Sequence, residues 1–244
     1  MENFFKDCIE ASKEIYFLIE KGLDSSFYEY KKDFIGAGGD KSSKIDLYAE
    51  KVYSKYLKKY GKIISEESGE IGEGELKIIL DPIDGSDNLL SNFPYFGSSI
   101  ALKKDDEVIA SFIVNLANGD FFIKDSKIYK KGTLKNSLLK DIKITKSSKI
   151  GLFEKAYANP KVVSFLKKES LKFRSPGAVA LSLSYAHSVD FVLFIGKIRE
   201  YDIDAGLHQC QDLNILYEKD RLLVSKDNKI FAKIESFLKE RDEI

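Results

Sequence analysis

Apolar positions recur in two different periods along this chain. In residues 2–21, Phe5, Ile9, Ile15, Tyr16 and Ile19 fall at near-helical spacing, which predicts a helix ending before Gly22. A break follows at Gly36-Ala37-Gly38-Gly39. From Ser43, the residues Ile45, Tyr48, Ala49, Val52, Tyr53, Tyr56 and Leu57 mark one face of a second helix, stopped by Gly61. Ser68–Glu75 mixes Gly and Glu and reads as an exposed loop. Lys77–Leu80 is a short apolar run that predicts a buried strand, broken at Asp81-Pro82. Ser98–Leu102 and Val108–Leu116 flank a charged turn at Lys103–Glu107, which predicts an antiparallel pair. Asn118-Gly119 is a hairpin signal, and Phe121–Ile123 resumes the next strand. Thereafter the pattern predicts alternation. Helices are expected near 160–168, at 177–187, over about 203–217 and at the end of the chain, with strands at 171–174, 189–195 and 221–224. That alternation implies an α/β unit. The polar, basic stretch 130–140 is the expected boundary between a half spanning 1–135 and a half spanning 136–244, together forming one catalytic unit.

Composition narrows the class. The chain has 244 residues, 43% of them hydrophobic, enough for a sizeable core. Lys+Arg and Asp+Glu number 39 each, so there is no basic surplus of the kind a general nucleic-acid binder uses to neutralise phosphates. Cys8 and Cys210 make neither a disulfide framework nor a CxxC zinc pair. The first residues, MENFFKDCIEASKE, carry too many charges for a signal peptide. No apolar window has the ~18 residues of a membrane span. The expectation is a cytoplasmic protein with reduced thiols and no membrane partner.

The chemistry-bearing residues are carboxylates at the ends of apolar elements. Asp81-Pro82-Ile83-Asp84-Gly85-Ser86-Asp87-Asn88 is the densest cluster. A strand delivers Asp81, Pro82 bares the carbonyl of Ile83, and Asp84 lies three residues on. Gly85 permits a tight turn into a short helix at Ser86, whose first N–H groups would be open to an anion. Mg²⁺ takes oxygen ligands, usually one or two carboxylates with water and substrate phosphate, so metal and phosphate could meet here. Glu66 and Glu67 follow Ile63-Ile64. Asp40 and Asp46 flank the second helix, and Asp202 and Asp204 open another. Each has a plainer reading. Ser43-x-x-Asp46 is also a capping pair, Asp202 and Asp204 suit a helix N-terminus, and Glu66 and Glu67 suit a solvated turn. His187 and His208 are expected on a helix surface or edge, outside an oxygen-only site.

Taken in order, these motifs resemble the inositol monophosphatase family, within the superfamily of Mg²⁺-dependent, lithium-sensitive phosphatases that includes fructose-1,6-bisphosphatases. Asp40-Lys-Ser-Ser-Lys-Ile-Asp46 resembles DxxTxxD, Ser65-Glu66-Glu67-Ser68 resembles GEES, and Asp81–Asn88 resembles DPIDGTxN. Phe93-Pro94 with Ser98-Ser99-Ile100 continues the pattern. Arg174-Ser-Pro-Gly177-Ala178-Val-Ala-Leu resembles RSxGSAAL, and Tyr201-Asp202-Ile-Asp-Ala-Gly206 resembles WDxAAG. The resemblance implies an α+β or α/β fold layered as an αβαβα sandwich, a phosphoric monoester hydrolase, and two or three Mg²⁺ per site. It implies metal ligation by Glu66, Asp81, the carbonyl of Ile83, Asp84 and Asp202. It implies that Glu67 supports the metal shell, that Asp46 acts through the Ser86 hydroxyl on the attacking water, and that the N–H groups of Gly85 and Ser86 hold phosphate. Arg174, Gly177 and Ala178 fall on its substrate side, and a homodimer is its usual assembly.

Departures concern the substrate, a small phosphorylated metabolite. Ile195 stands where inositol-specific members carry an acid, and Gly196-Lys197-Ile198-Arg199 resembles the GKLR of fructose bisphosphatases. If that stretch is extended, Lys197 and Arg199 project to one face as a cationic ledge for a second anionic group. Solvated charge is the plainer reading. Sugar bisphosphates, inositol phosphates and 3′-phosphoadenosine 5′-phosphate stay open as substrates, and a non-catalytic phosphate-binding protein is the alternative of another class.

Overall fold

The computed structural model describes residues 1–39 and 41–240; Asp40, part of the first acidic motif, lies outside them. The first half contains α1 (Glu2–Glu20), β1 (Tyr30–Ile35), β2 (Lys41–Ser43), α2 (Lys44–Leu57), β3 (Lys62–Ser65), β4 (Gly69–Ile71), β5 (Lys77–Asp84) and α3 (Ser86–Leu90). A meander follows: β6 (Gly97–Lys104), β7 (Glu107–Asn115), β8 (Asp120–Asp125), β9 (Tyr129–Thr133) and β10 (Asn136–Asp141). The remainder holds β11 (Gly151–Glu154), α4 (Pro160–Lys168), β12 (Phe173–Arg174), α5 (Val179–Ser184), β13 (Val192–Ile195), α6 (Glu200–Gln209), β14 (Asn214–Glu218), β15 (Arg221–Ser225) and α7 (Asn228–Glu240).

Two large sheets organise the chain. One has eight strands in the order β10-β9-β8-β7-β6-β5-β3-β4, and the other five in the order β12-β11-β13-β15-β14. Strand periodicity sends alternate residues to opposite faces. In β5, Ile78 and Leu80 pack with Ile45, Val52 and Tyr53 of α2 and with α1, whereas Ile79 packs with Leu181 of α5 and Ala205 of α6. In β13, Val192 and Phe194 face Leu183 of α5 and Ile203 of α6, and Leu193 faces Val162 and Leu166 of α4 with Ile234 and Leu238 of α7. The result is five layers: α1/α2, the eight-stranded sheet, α5/α6, the five-stranded sheet, then α4/α7. Burial on both faces explains why the sheet interiors read as short apolar runs rather than clean alternation.

Several local expectations are corrected. β1 and β2 form an antiparallel ribbon within a stretch that gave no strand signal. The Gly/Glu segment is not all loop, because β4 pairs antiparallel with β3. Pro82 does not end its strand. β5 runs on to Asp84, and its register against β6 shifts between Asp81 and Asp84, so the residue without an N–H sits in the irregularity. The Ser98 hydroxyl donates to the Pro82 carbonyl at 2.6 Å. The helix expected over 203–217 is α6 followed by β14. Both histidines are buried rather than on a surface or edge: Ser111 Oγ lies 2.8 Å from His208 Nδ1, and Asp212 lies 2.9 Å from His187 Nε2. Among the described residues, no helix is long and apolar enough to cross a membrane.

Candidate active site

Parallel strand pairs aim the acidic residues. β3 and β5 run parallel with Ser65 opposite Leu80, so the residues that follow, Glu66 and Asp81, emerge side by side. In the other sheet β11 and β13 run parallel, and the chain leaving β13 enters α6 with Asp202 in its first turn. The carboxyl ends of both pairs open on one cleft of ≈ 810 Å³, as expected for layered α/β sheets. One carboxylate oxygen from each of Glu66, Asp81 and Asp202 lies within 4.8 Å of the others. Asp84 lines the same cleft and accepts from the Leu181 N–H at 2.8 Å.

These carboxylates destabilise one another when ionised. Burial, then Glu66, Asp84 and Asp202, push Asp81 well above the usual carboxylate range. Burial also raises Asp84; the Leu181 hydrogen bond opposes this, and Asp202 and Glu154 add to it. The Arg199 guanidinium meets the cluster directly, at 2.7 Å from Glu66 Oε1 and bidentately on Asp202 at 2.9 and 3.0 Å. It also donates to the Gly38 carbonyl at 3.2 Å. Gly38 is pressed on Glu66, where a Cβ would stand 2.6 Å from Glu66 Cγ. An all-oxygen, buried, mutually repelling donor set that already attracts an internal cation suits a hard divalent ion.

Asp46 satisfies its plainer reading as well as lining the cleft. Its Oδ2 accepts from the Ser43 N–H and hydroxyl, both at 2.7 Å, closing a capping box on α2. Its Oδ1 is buried without a hydrogen-bond partner. Burial pushes Asp46 up to about 6 despite the Ser43 bonds. Glu67 is pushed up to about 8, chiefly by burial, and accepts from the Ser42 hydroxyl. Gly85 takes φ 87°, a left-handed turn open to glycine, and a Cβ there would meet Ala178 and the Tyr95 carbonyl at 3.1 Å. It leads into α3, and Ser86 lines the cleft.

The cleft is thus lined by Asp46, Glu66, Glu67, Asp81, Ile83, Asp84, Gly85, Ser86, Gly177, Arg199 and Asp202. Ala178 is buried just behind it. Arg174 and Lys197 are exposed and do not line it, so Lys197 and Arg199 do not share a face. Asp204 pairs instead with Lys103 at 2.7 Å.

Glu154 was not marked by the sequence reading. It is 1% exposed and lines the cleft, accepting from the Gly177 N–H at 2.7 Å and the Ser182 hydroxyl at 2.5 Å. Burial raises its pKa against those bonds. Across the gap, Asn88 Nδ2 donates to the carbonyls of Pro176 and Tyr95 at 2.6 and 2.7 Å, so the 175–178 loop is gripped from both sheets. The signal was present: Gly151-Leu152-Phe153-Glu154 is another apolar run ending in an acid.

Comparison with known proteins agrees with this architecture. The model of the inositol monophosphatase family matches residues 7–208. The fructose-1,6-bisphosphatase of Pyrococcus furiosus is 31% identical over 70% of this chain and 67% of its own length. The fructose-1,6-bisphosphatase/inositol-1-monophosphatase of Archaeoglobus fulgidus is 28% identical over 83% of this chain and 80% of its own. The solved structure of the extragenic suppressor protein suhB of Bartonella henselae superposes with a TM-score of 0.75 at 18% identity, covering 95% of this chain and 96% of that one, a likeness of fold.

Proposed function

Because the chain belongs to the inositol monophosphatase family of metal-dependent phosphatases and is a phosphoric monoester hydrolase, we propose that it hydrolyses a small phosphorylated metabolite with Mg²⁺, two or three ions per site. The observation that carries the metal assignment is the convergence of Glu66, Asp81 and Asp202 within 4.8 Å, with Asp84 beside them. Those four carboxylates and the Ile83 carbonyl would hold the ions, and Glu67 would support them. Bound there, Mg²⁺ supplies charge neutralisation for the phosphate and a lowered pKa for water.

The chain's own groups do the rest. The N–H groups of Gly85 and Ser86 hold phosphate oxygens at the turn into α3. The unpaired Asp46 Oδ1 takes a proton by way of the Ser86 hydroxyl, and its raised pKa of about 6 suits a base near neutrality. Gly177 and Ala178, fixed by Glu154, form the opposing wall. The reading extends to a homodimer in the cytoplasm, consistent with two free, buried thiols.

The test is phosphate release from myo-inositol 1-phosphate, fructose 1,6-bisphosphate and adenosine 3′,5′-bisphosphate. Turnover with Mg²⁺ that stops in EDTA is expected. Full turnover in EDTA would sink the metal assignment. Sedimentation of the purified protein checks the dimer.

A further inference from the structure

A second recognition point stands on the far wall of the cleft, in residues that no motif marks. β11 ends at Glu154, and Lys155 then adopts φ 54° and ψ 34° before a short 3₁₀ turn at Ala156–Ala158. A left-handed conformation costs a non-glycine residue roughly 1–2 kcal/mol, so the surroundings must enforce it. They do. The Lys155 carbonyl accepts from the Ala158 N–H at 3.0 Å and from Asn159 Nδ2 at 3.2 Å. The Ala156 N–H donates to Ser175 Oγ at 3.3 Å, and Glu154 is clamped to Gly177. The fold therefore fixes the base of an exposed lysine at the cleft wall. Its ammonium stands 5.3 Å from the Phe194 ring centroid, and it forms no ion pair among the described residues.

The other cations near the cleft are placed differently. Arg199 is neutralised by Glu66 and Asp202. Lys197 does not line the cleft, and Arg174 turns its guanidinium to the Phe173 carbonyl at 2.9 Å. Lys41 lines the cleft from the β1–β2 ribbon, on the side of Asp46. Lys155 faces the space opposite, beside Tyr157, which also lines the cleft and is 84% exposed. A cleft of ≈ 810 Å³ holds far more than one phosphate.

Resting on the phosphatase reading above, we infer that Lys155 selects substrates bearing a second phosphate, gripping that group while the carboxylate side of the cleft holds the phosphate to be cleaved. A lysine is suited to this as a point charge for phosphate. Sugar bisphosphates and nucleotides phosphorylated on the ribose share this chemistry. Tyr157 offers a ring face that only a nucleobase would stack on.

The experiment compares KM and kcat on fructose 1,6-bisphosphate, adenosine 3′,5′-bisphosphate and glycerol 2-phosphate. Lys155→Gly keeps the left-handed backbone and removes the charge, Lys155→Arg restores it, and melting curves confirm folding. The glycine variant should raise KM for a bisphosphate at least ~10-fold more than for glycerol 2-phosphate, with recovery in the arginine variant. A further loss in Tyr157→Ala on the adenosine compound alone identifies the nucleotide source; no such loss identifies the sugar. Equal losses on all three substrates, a wild type with no preference for either bisphosphate, or the selective loss appearing in Lys41→Ala and not in Lys155→Gly would overturn the inference. Absence of phosphate release from every substrate would instead overturn the phosphatase reading beneath it.

Discussion

Arg199→Gln removes a cation from the centre of the carboxylate cluster while keeping a polar side chain of similar reach. Three contacts are lost, one to Glu66 at 2.7 Å and two to Asp202 at 2.9 and 3.0 Å. The side chains are 22%, 12% and 9% exposed, between a surface pair and a fully buried one. Hydrogen bonds to charged groups contribute about 1.5–3 kcal/mol net, and breaking a buried pair costs about 3–5, so ~2 kcal/mol is a fair figure for the metal-free protein. For a chain of this length that lowers Tm by ~4–8 °C. The metal-loaded protein should respond differently, because a divalent ion needs the same carboxylate oxygens that Arg199 holds. Weakening only the metal-free state by ~2 kcal/mol tightens metal binding by up to ~30-fold. Calorimetric melting in EDTA and in saturating Mg²⁺, with isothermal titration of Mg²⁺, measures both sides. An unchanged Tm in EDTA together with an unchanged Mg²⁺ dissociation constant would refute the idea that arginine and metal compete.

Asp84→Asn should lower turnover by ~10²–10³ with a near-native melt, since one charged group facing the phosphate is removed; an unaltered rate in saturating Mg²⁺ would contradict its place in the site. Glu154→Ala leaves the Gly177 N–H and Ser182 hydroxyl unmatched and should cost ~1–3 kcal/mol, read as a lower urea midpoint and faster hydrogen exchange at Gly177, with partial recovery in Glu154→Gln. Burial pushes His208 down to about 4, below its unfolded value near 6.5, so its contribution is present above pH 6.5 and lost as pH falls toward 4, at up to ~1.4 kcal/mol per pH unit. Urea midpoints at pH 7, 6 and 5 should fall more steeply in the wild type than in His208→Gln. Parallel curves would show that His208 does not drive the slope. The raised Asp46 and Glu67 act with the opposite sign, favouring the metal-free fold at low pH until they ionise near about 6 and about 8.

Elements whose burial is one-sided were legible from the sequence alone. α1 and α2 each show one apolar stripe against the eight-stranded sheet, and their spans match the helical spacing of Phe5, Ile15, Ile45, Val52 and Tyr53. The β6–β7–β8 meander announced itself through the charged turn and Asn118-Gly119. Elements decided by distant partners were not legible. β4 is Gly-Glu-Ile and becomes a strand only because β3 offers an edge; β1 and β2 likewise depend on each other. β14 follows α6 in an unbroken mixed sequence, and its partner β15 makes it a strand, through pairing that local propensity does not encode.

The site divides along the same physical line. Acidic residues at strand ends carry a local signature, so Glu66, Asp81, Asp84 and Asp202 could be picked out before their convergence was known. What they meet could not. Arg199 and Lys197 alternate in sequence and look equivalent, yet Arg199 turns onto Glu66 and Asp202 and Lys197 stays in solvent. The cause lies in the far half of the chain: Glu66, 133 positions earlier, is carried there by the β3–β5 pair and draws the guanidinium inward. Glu154 shows the converse. Its strand-end pattern was visible, but only the arrival of Gly177 and Ser182 turns that acid from a solvated charge into a buried clamp. Carboxylates that seek cations from other elements, and N–H groups that seek carboxylates, bring the ends of both sheets to one cleft, so the contacts that complete the site also fasten the two halves together.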